Sequence, residues 1–409
     1  MAIVEPFAAF RADPFKTDLS RVLCPPYDIV TPSMAKRLRR WEANAIRIEL
    51  PEDPDRYRRA QKQWEAWVGS NLLVQDKKPG FYICEQSFRW NGKTRTRLGF
   101  LAALRLEKPG SKTILAHENT LSKPKQDRRK LLNRLKVNTS PIFAVFSDPK
   151  KEFERFFRRP AGPEPAIRGQ DIIGVGYRLW KIEDAGQIRR LKRLLEPQKI
   201  LIADGHHRYR VAWDFYRSSG PLRRAPGTRM RRSRGGAAAS SPRRYILAYL
   251  CPREDPGLKL LPTHRVVPGA GRLMRRLSGE CSLEPLRSWK ELSRKLDKLS
   301  NPLSFGCFSE SFPGRPYVLA TPGKNASDGA RLAVQYIAQA LAPQAARQTF
   351  THSAPEAIRL ARACKGMALL LGSYTVSQIQ SATEACGLLP QKTTYFYPKV
   401  AAGLAFRRL

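Results

Sequence analysis

The stretch KILIADGHHRYRVAWDFY, Lys199 to Tyr216, leaves few options beyond a buried strand that turns sharply into a helix. Ile200-Leu201-Ile202 is a short apolar run with β-branched ends, suited to a covered strand. Gly205 tolerates the positive φ that a tight strand-to-helix turn needs. From His206 onward, Tyr209, Ala212, Trp213 and Tyr216 recur at helical spacing and form one face that can lie on a sheet. Asp204 is then a candidate N-cap, with His206, His207 and Arg208 in the first turn. Unpaired N–H groups and the positive end of the helix dipole make that turn a seat for an anion. Cationic side chains there oppose the dipole at a cost of about a few tenths of a kcal/mol each, unless an anion neutralises them. A phosphate or nucleotide held by Gly205, His206 and Arg208 is therefore expected. Zinc is not: adjacent helical residues diverge by about 100°, and the i, i+4 histidine pair that clasps the metal is missing.

Elsewhere, strand and helix patterns alternate in mixed order. KPGFYICEQSFRWNGKTRTRLGFLAALRL reads as a hairpin turning at Asn91-Gly92. Pro32 to Trp41, Asp55 to Val68, KQDRRKLLNRL and DAGQIRRLKRLLEPQ read as helices, and SPIFAVF as a buried strand. The expected class is mixed α/β, with mixed sheets and flanking helices. Its length of 409 residues suggests two α/β lobes, placed at 1–190 and 191–409. Arg217 to Arg244 is arginine-rich, has no acidic residue and lacks apolar periodicity, so a disordered loop is expected there.

Composition narrows the setting. No apolar run approaches the roughly 20 residues of a membrane span, and the N-terminus lacks a leader pattern. The seven cysteines are scattered and never form CxxC, which favours reduced thiols in a cytoplasm. Lys and Arg total 74 against 35 acidic residues, a net charge of +39 that attracts polyanions, nucleic acid among them.

Four of the five histidines fall in three compact patches. Besides His206-His207 there is His117-Glu118, a candidate acid/base couple in which Glu118 could equally cap the next helix or pair with Arg128. Thr263, His264 and Arg265 cluster at a strand end. A fourth patch, PQKTTYFYPK, offers Gln391, Lys392, Thr393, Thr394 and Lys399, whose hydroxyl and ammonium groups suit phosphate or carboxylate oxygens. Concentrating rare side chains in these places argues for a shared site.

The motifs PPYDIV, HENT, KQDR, SPIF, ADGHHRY, LPTHR and PQKTTYFYPK occur in the order found in the family catalogued as DUF1015, which this chain resembles from about Pro6 onward. Leu389 and Thr393 stand where methionine and serine would be expected. The family is bacterial and archaeal and cytosolic. The DGHHR element also resembles the box of the ParB/sulfiredoxin-like superfamily, whose Gly-x-x-Arg turn holds nucleotide phosphates and some of whose members phosphorylate free serine. The family resemblance implies no firmly assigned activity; the residues read together with the DGHHR box lead to the expectation of a nucleotide- or phosphate-binding small-molecule phosphotransferase with an amino or hydroxy acid acceptor. In that reading Gly205, His206 and Arg208 hold phosphate, joined by Thr263, His264, Arg265, Lys392, Thr393 and Lys399. Asp204 or Glu118 serves as base or Mg²⁺ ligand, and His117 and His207 as acid/base groups. A phosphoester hydrolase using the same groups and a non-catalytic nucleic-acid regulator are the alternatives.

Overall fold

The computed structural model describes residues 1–119, 122–157, 167–218, 241–312, 314–325, 329–342 and 347–409. The fold is mixed α/β, in two compact units. The first comprises Met1–Leu115, Thr120–Leu258 and Pro398–Leu409, and the second Ala116–Asn119 and Lys259–Tyr397.

The first unit is built on the expected hairpin. Strands Phe81–Trp90 and Lys93–Arg105 meet at Asn91 (φ 47°) and Gly92 (φ 75°), the two positive φ values that a tight two-residue turn requires. The hairpin lies inside a nine-stranded sheet. From one edge the sheet runs Ile114–Ala116, Ile200–Asp204, Ile142–Phe146, Tyr245–Pro252, Lys93–Arg105, Phe81–Trp90, Gly176–Ile182 and Ile167–Gln170. Val4–Glu5 adds to the return strand of the hairpin. Tyr245–Pro252 is parallel to Ile142–Phe146 and antiparallel to Lys93–Arg105, which makes the sheet mixed. Every residue of Ile142–Phe146 is buried, as its unbroken apolar run requires.

A division at residue 190 would cut this sheet, because Ile200–Asp204 pairs with Ile142–Phe146. The last twelve residues also return to the first unit, with Val400, Ala402, Leu404 and Phe406 buried. Helix Ser122–Leu135 turns Leu131, Leu132 and Leu135 inward, and helix Arg56–Gly69 does the same with Trp64 and Trp67. Asp184 caps helix Ala185–Leu195 by accepting from Gln187 N–H at 2.8 Å.

Helix His206–Ser218 forms where expected, but its buried face is turned. Val211 and Phe215 are buried beside His206, Tyr209 and Ala212, while Trp213 and Tyr216 are only partly covered. The helix packs on a second helix as well as on the sheet: Val211 and Phe215 cluster with Leu132. Of the arginine-rich stretch, Arg217 and Ser218 end this helix and Pro242–Arg244 form a 3₁₀ turn. Residues 219–240, on which the expectation of disorder rests, lie outside the described residues.

The second unit holds an antiparallel six-stranded sheet, ordered Cys281–Leu286, Tyr317–Pro322, Phe305–Phe308, Met367–Leu370, His264–Val267, Thr349–Thr351. Leu292 and Leu296 from helix Trp289–Asp297 and Ala357, Ile358 and Ala361 from helix Ala354–Ala363 share an apolar core with Val266, Phe308 and Leu370 of the sheet. A two-stranded ribbon pairs Lys259–Leu261 with Tyr395–Tyr397. No described helix is long and apolar enough to cross a membrane.

Candidate functional site

The Asp204-Gly205 junction closes the strand and opens the helix. Gly205 has φ 89°, and its carbonyl accepts from Tyr209 N–H at 2.9 Å, so glycine itself takes the N-cap position expected for Asp204. A Cβ at Gly205 would lie 2.9 Å from Ile142 Cγ2 and 3.0 Å from Arg208 Nη2. Only glycine lets both the backbone turn and the guanidinium occupy this space.

Arg208 is a strut. Its Nη1 donates to Ser140 Oγ at 2.9 Å and to the Pro141 carbonyl at 2.5 Å, and its Nη2 donates to Asp204 Oδ2 at 2.8 Å. Arg208 Nε is buried without a hydrogen-bond partner among the described residues. The other Asp204 oxygen, Oδ1, accepts from Lys399 Nζ at 2.9 Å. Lys399, 6% exposed, also donates to Asp28 Oδ2. Two carboxylates and two cations thus interlock at the start of the helix.

The electrostatics follow from burial and these partners. Burial opposes ionisation of Asp204, but the charges of Lys399 and Arg208 outweigh it and hold the carboxyl at about 2. Burial alone would discharge Lys399, yet Asp204 and Asp28 raise it above the ordinary lysine value. Burial pushes His206 down to about 4, so its imidazole is neutral at pH 7 and does not add a charge at the helix start. The conflict with the helix dipole inferred from two histidines and an arginine is smaller than their spacing suggests, because Asp204 screens Arg208 and His206 is uncharged. His207 is half-buried.

Beside Arg208 lies a cavity of about 40 Å³, lined by Glu49, Arg128, Thr139, Ser140 and Arg208 together with apolar side chains. Glu49 is buried. It accepts from Thr139 Oγ1 at 2.6 Å and from Arg128 Nη1 at 3.0 Å. Arg128 pairs with Glu49 and Asp127, and its guanidinium lies over the Tyr27 ring at 4.5 Å. Asp28, Glu49 and Arg128 are not among the site residues expected from sequence. Asp28 and Arg128 sit inside the PPYDIV and KQDR motifs, the one signal that points to them.

The second unit gathers a polar cluster of its own residues. His117, fully buried, shares a hydrogen bond with Thr394 Oγ1 at 2.9 Å and lies 3.8 Å from Glu118 Oε1. That carboxylate oxygen accepts from the Thr393 and Thr394 N–H groups at 3.2 and 3.3 Å. Arg265, 1% exposed, donates to the Thr263 and Gln391 carbonyls at 3.2 Å each. Burial pushes its guanidinium down to about 10, against the opposing charges of Tyr374 and Glu118. His264 Nδ1 accepts from Leu371 N–H at 3.1 Å, which leaves the proton on Nε2. Lys392 is exposed. The fifth histidine, His352, falls in none of the expected patches, yet its Nδ1 lies 3.3 Å from Thr263 Oγ1 and its ring packs tilted against Tyr395, centroids 3.8 Å apart.

Of the expected site residues, Asp204, Gly205, His206, His207, Arg208 and Lys399 belong to the first unit. His117, Glu118, Thr263, His264, Arg265, Lys392 and Thr393 belong to the second. Among the described residues, no group of three His, Cys, Asp or Glu side chains is arranged to hold a metal ion.

No curated protein matches the chain. Among solved structures, a conserved hypothetical protein from Pyrococcus furiosus is 12% identical with a TM-score of 0.38, over 72% of this chain and 92% of its own. A free serine kinase in complex with AMP is 11% identical with a TM-score of 0.38, over 72% of this chain and 88% of its own. SbnI with a C-terminal truncation, from Staphylococcus aureus, is 9% identical with a TM-score of 0.38, over 75% and 87%. Over residues 4–327 the sequence matches the family described as Protein of unknown function (DUF1015), and the chain belongs to that family.

Proposed function

We propose that the first unit binds a nucleotide phosphate at the Gly205 turn and transfers a phosphoryl group to a small acceptor, an amino acid or hydroxy acid. The observation that carries this reading is the interlocked set Asp28, Lys399, Asp204 and Arg208 at the start of helix His206–Ser218. Its formal charge sums to zero, so the cations and carboxylates hold one another ready without a ligand.

Phosphoryl transfer depends mainly on positioning and on neutralising charge. An arriving phosphate competes for Arg208 and Lys399, with the helix N–H groups adding donors. The Asp204 carboxylate, released from part of that pairing, is then available to take the proton of an acceptor hydroxyl. His207, in the first helical turn, is a further donor. Asp28 and Asp204 aim carboxylate oxygens at one shared point, now taken by Lys399 Nζ, and that donor set suits Mg²⁺, which commonly uses one or two carboxylates plus phosphate oxygens. These two residues would hold the ion, which supplies charge neutralisation for the phosphates. In the second unit, His117 and Glu118 are proposed as an acid/base pair. Thr263, His264, Arg265, Lys392 and Thr393 are proposed there as contacts for an anionic ligand.

The test is ATP turnover followed by phosphorus NMR, with Mg²⁺ and a panel of hydroxyl-bearing amino and hydroxy acids. Acceptor-dependent ADP formation with a new phosphoester resonance is expected. Release of inorganic phosphate at a rate indifferent to every acceptor would replace the transferase with a hydrolase.

A further inference from the structure

Three neighbouring strands of the first unit carry a row of polar residues at one register. Tyr177 lies directly opposite Gln86, and Gln86 directly opposite Arg97. Their exposures are 1%, 0% and 0%. Such groups in the middle of a sheet are costly unless their polar atoms find partners. Here the partners lie largely on one short segment. Arg97 Nε donates to Gln86 Oε1 at 3.1 Å, and Arg97 Nη2 donates to the Pro398 carbonyl at 2.6 Å. Gln86 Nε2 donates to the Lys399 carbonyl at 3.3 Å. The Tyr177 hydroxyl accepts from Ala401 N–H at 3.2 Å; its single proton faces Asp171 Oδ2 at 3.2 Å and the Lys399 carbonyl at 3.5 Å. The Arg97 guanidinium itself lies over the Phe143 ring at 4.5 Å and the Tyr249 ring at 5.5 Å, which restricts its rotation.

Lys399 sits in the centre of the gripped segment, and its ammonium ends between Asp28 and Asp204. Anchoring the chain end would not need this row, because Val400, Ala402, Leu404 and Phe406 already bury apolar side chains. Replacing a buried charge with a well-packed apolar residue is often neutral or stabilising, so a purely structural role gives no reason for a guanidinium here. A lysine side chain is long and rich in rotamers, and fixing its backbone is a further means of confining its tip.

We infer that Tyr177, Gln86 and Arg97 are positioning residues that hold the backbone of Pro398 to Ala401 so that the Lys399 ammonium stays between Asp28 and Asp204. The consequence for ligand binding rests on the nucleotide reading proposed above; the positioning itself does not.

The test separates the two. Competitive acetylation of the full chain, read by mass spectrometry, reports the accessibility of Lys399 relative to Lys192, whose own partner is Glu5. In Arg97→Met the Lys399 rate should rise about tenfold, the loss of one charge-assisted hydrogen bond, with Lys192 unchanged. Tyr177→Phe, which removes only a hydroxyl, should show a smaller rise of the same kind and stands in if Arg97→Met misfolds. Unchanged Lys399 labelling in the folded variants overturns the inference. ADP titration forms the second arm. Arg97→Met should weaken ADP in the parent but have no further effect in a Lys399→Met background, whereas a merely structural role would weaken both equally and count against positioning. If the parent binds no ADP, the nucleotide reading fails, and a raised Lys399 rate still supports the positioning role.

Discussion

Lys399 Nζ donates to Asp204 Oδ1 at 2.9 Å, across 195 positions of chain. The bond ties the last segment of the polypeptide to the strand-to-helix turn, and with Asp28 it makes a buried cation with two carboxylate partners. Removing the lysine leaves those carboxylates facing one another. Lys399→Met should cost about 3 kcal/mol at pH 7, the low end for a broken buried pair because Asp28 and Asp204 keep some contact with water. Urea unfolding measures it, and a change below about 1 kcal/mol would place the group among weak surface pairs.

Gly205→Ala should destabilise by more than about 1 kcal/mol, since alanine must adopt φ near 89° and press on Ile142 and the Arg208 guanidinium. Gly279 provides the contrast. It lies in helix Gly271–Glu280, where an added methyl group would meet open space, so Gly279→Ala should be neutral or stabilise by up to about 1 kcal/mol. Equal melting temperatures for the two variants would show that the Gly205 turn relaxes freely.

His264 makes stability pH-dependent. Burial holds its imidazole down at about 4, against about 6.5 when unfolded. As pH falls the unfolded chain binds the proton first, so this stabilisation is complete above about pH 6.5 and is lost toward pH 4. Asp171, pushed up to about 6 by burial, has the opposite sign: its contribution is present below about pH 4 and is lost as pH rises through 6. Comparing variants isolates the histidine. His264→Gln should reduce the loss of stability between pH 7 and pH 5 by roughly 1–2 kcal/mol. Parallel pH profiles for parent and variant would mean that the imidazole is not held neutral.

Much of the fold is legible locally. The Asn91-Gly92 hairpin, the Ile142–Phe146 strand and the Gly205 turn follow from alternation, an unbroken apolar run and the need for positive φ, each a property of neighbouring residues. Where packing is decided at a distance, local pattern misleads. The buried face of helix His206–Ser218 turns toward Leu132 as well as toward the sheet, and no local spacing encodes a second partner. Pro398–Leu409 belongs to the first unit although it follows the second in sequence, and no local pattern encodes that return. Lys399 is legible as a polar candidate, but its partner Asp28 lies 371 positions away in a turn that reads as ordinary loop. Glu49 sits in the apolar stretch AIRIELP, where a lone carboxylate looks like a solvated break in a core segment. Only its contacts with Thr139 and Arg128 show it to be buried.

Asp28 also separates metal from phosphate recognition. If Asp28 and Asp204 hold Mg²⁺ beside the nucleotide, Asp28→Asn should abolish most of the gain in ADP affinity that Mg²⁺ gives the parent, whatever it does to metal-free ADP binding through Lys399. Calorimetry with and without the ion reads both. An undiminished Mg²⁺ effect would exclude Asp28 as a ligand.

Every ligand-binding and catalytic role proposed for the first unit depends on a nucleotide phosphate that occupies the Gly205 turn and draws on Arg208. Calorimetric titration of ADP into the parent and into Arg208→Gln, with folding of both checked by melting, decides whether it does. Saturable binding by the parent and a loss of about 10- to 100-fold in the variant are expected, the worth of one charge-assisted contact. Equal affinity in the two folded proteins would remove Arg208, and with it the Gly205 turn, from nucleotide recognition.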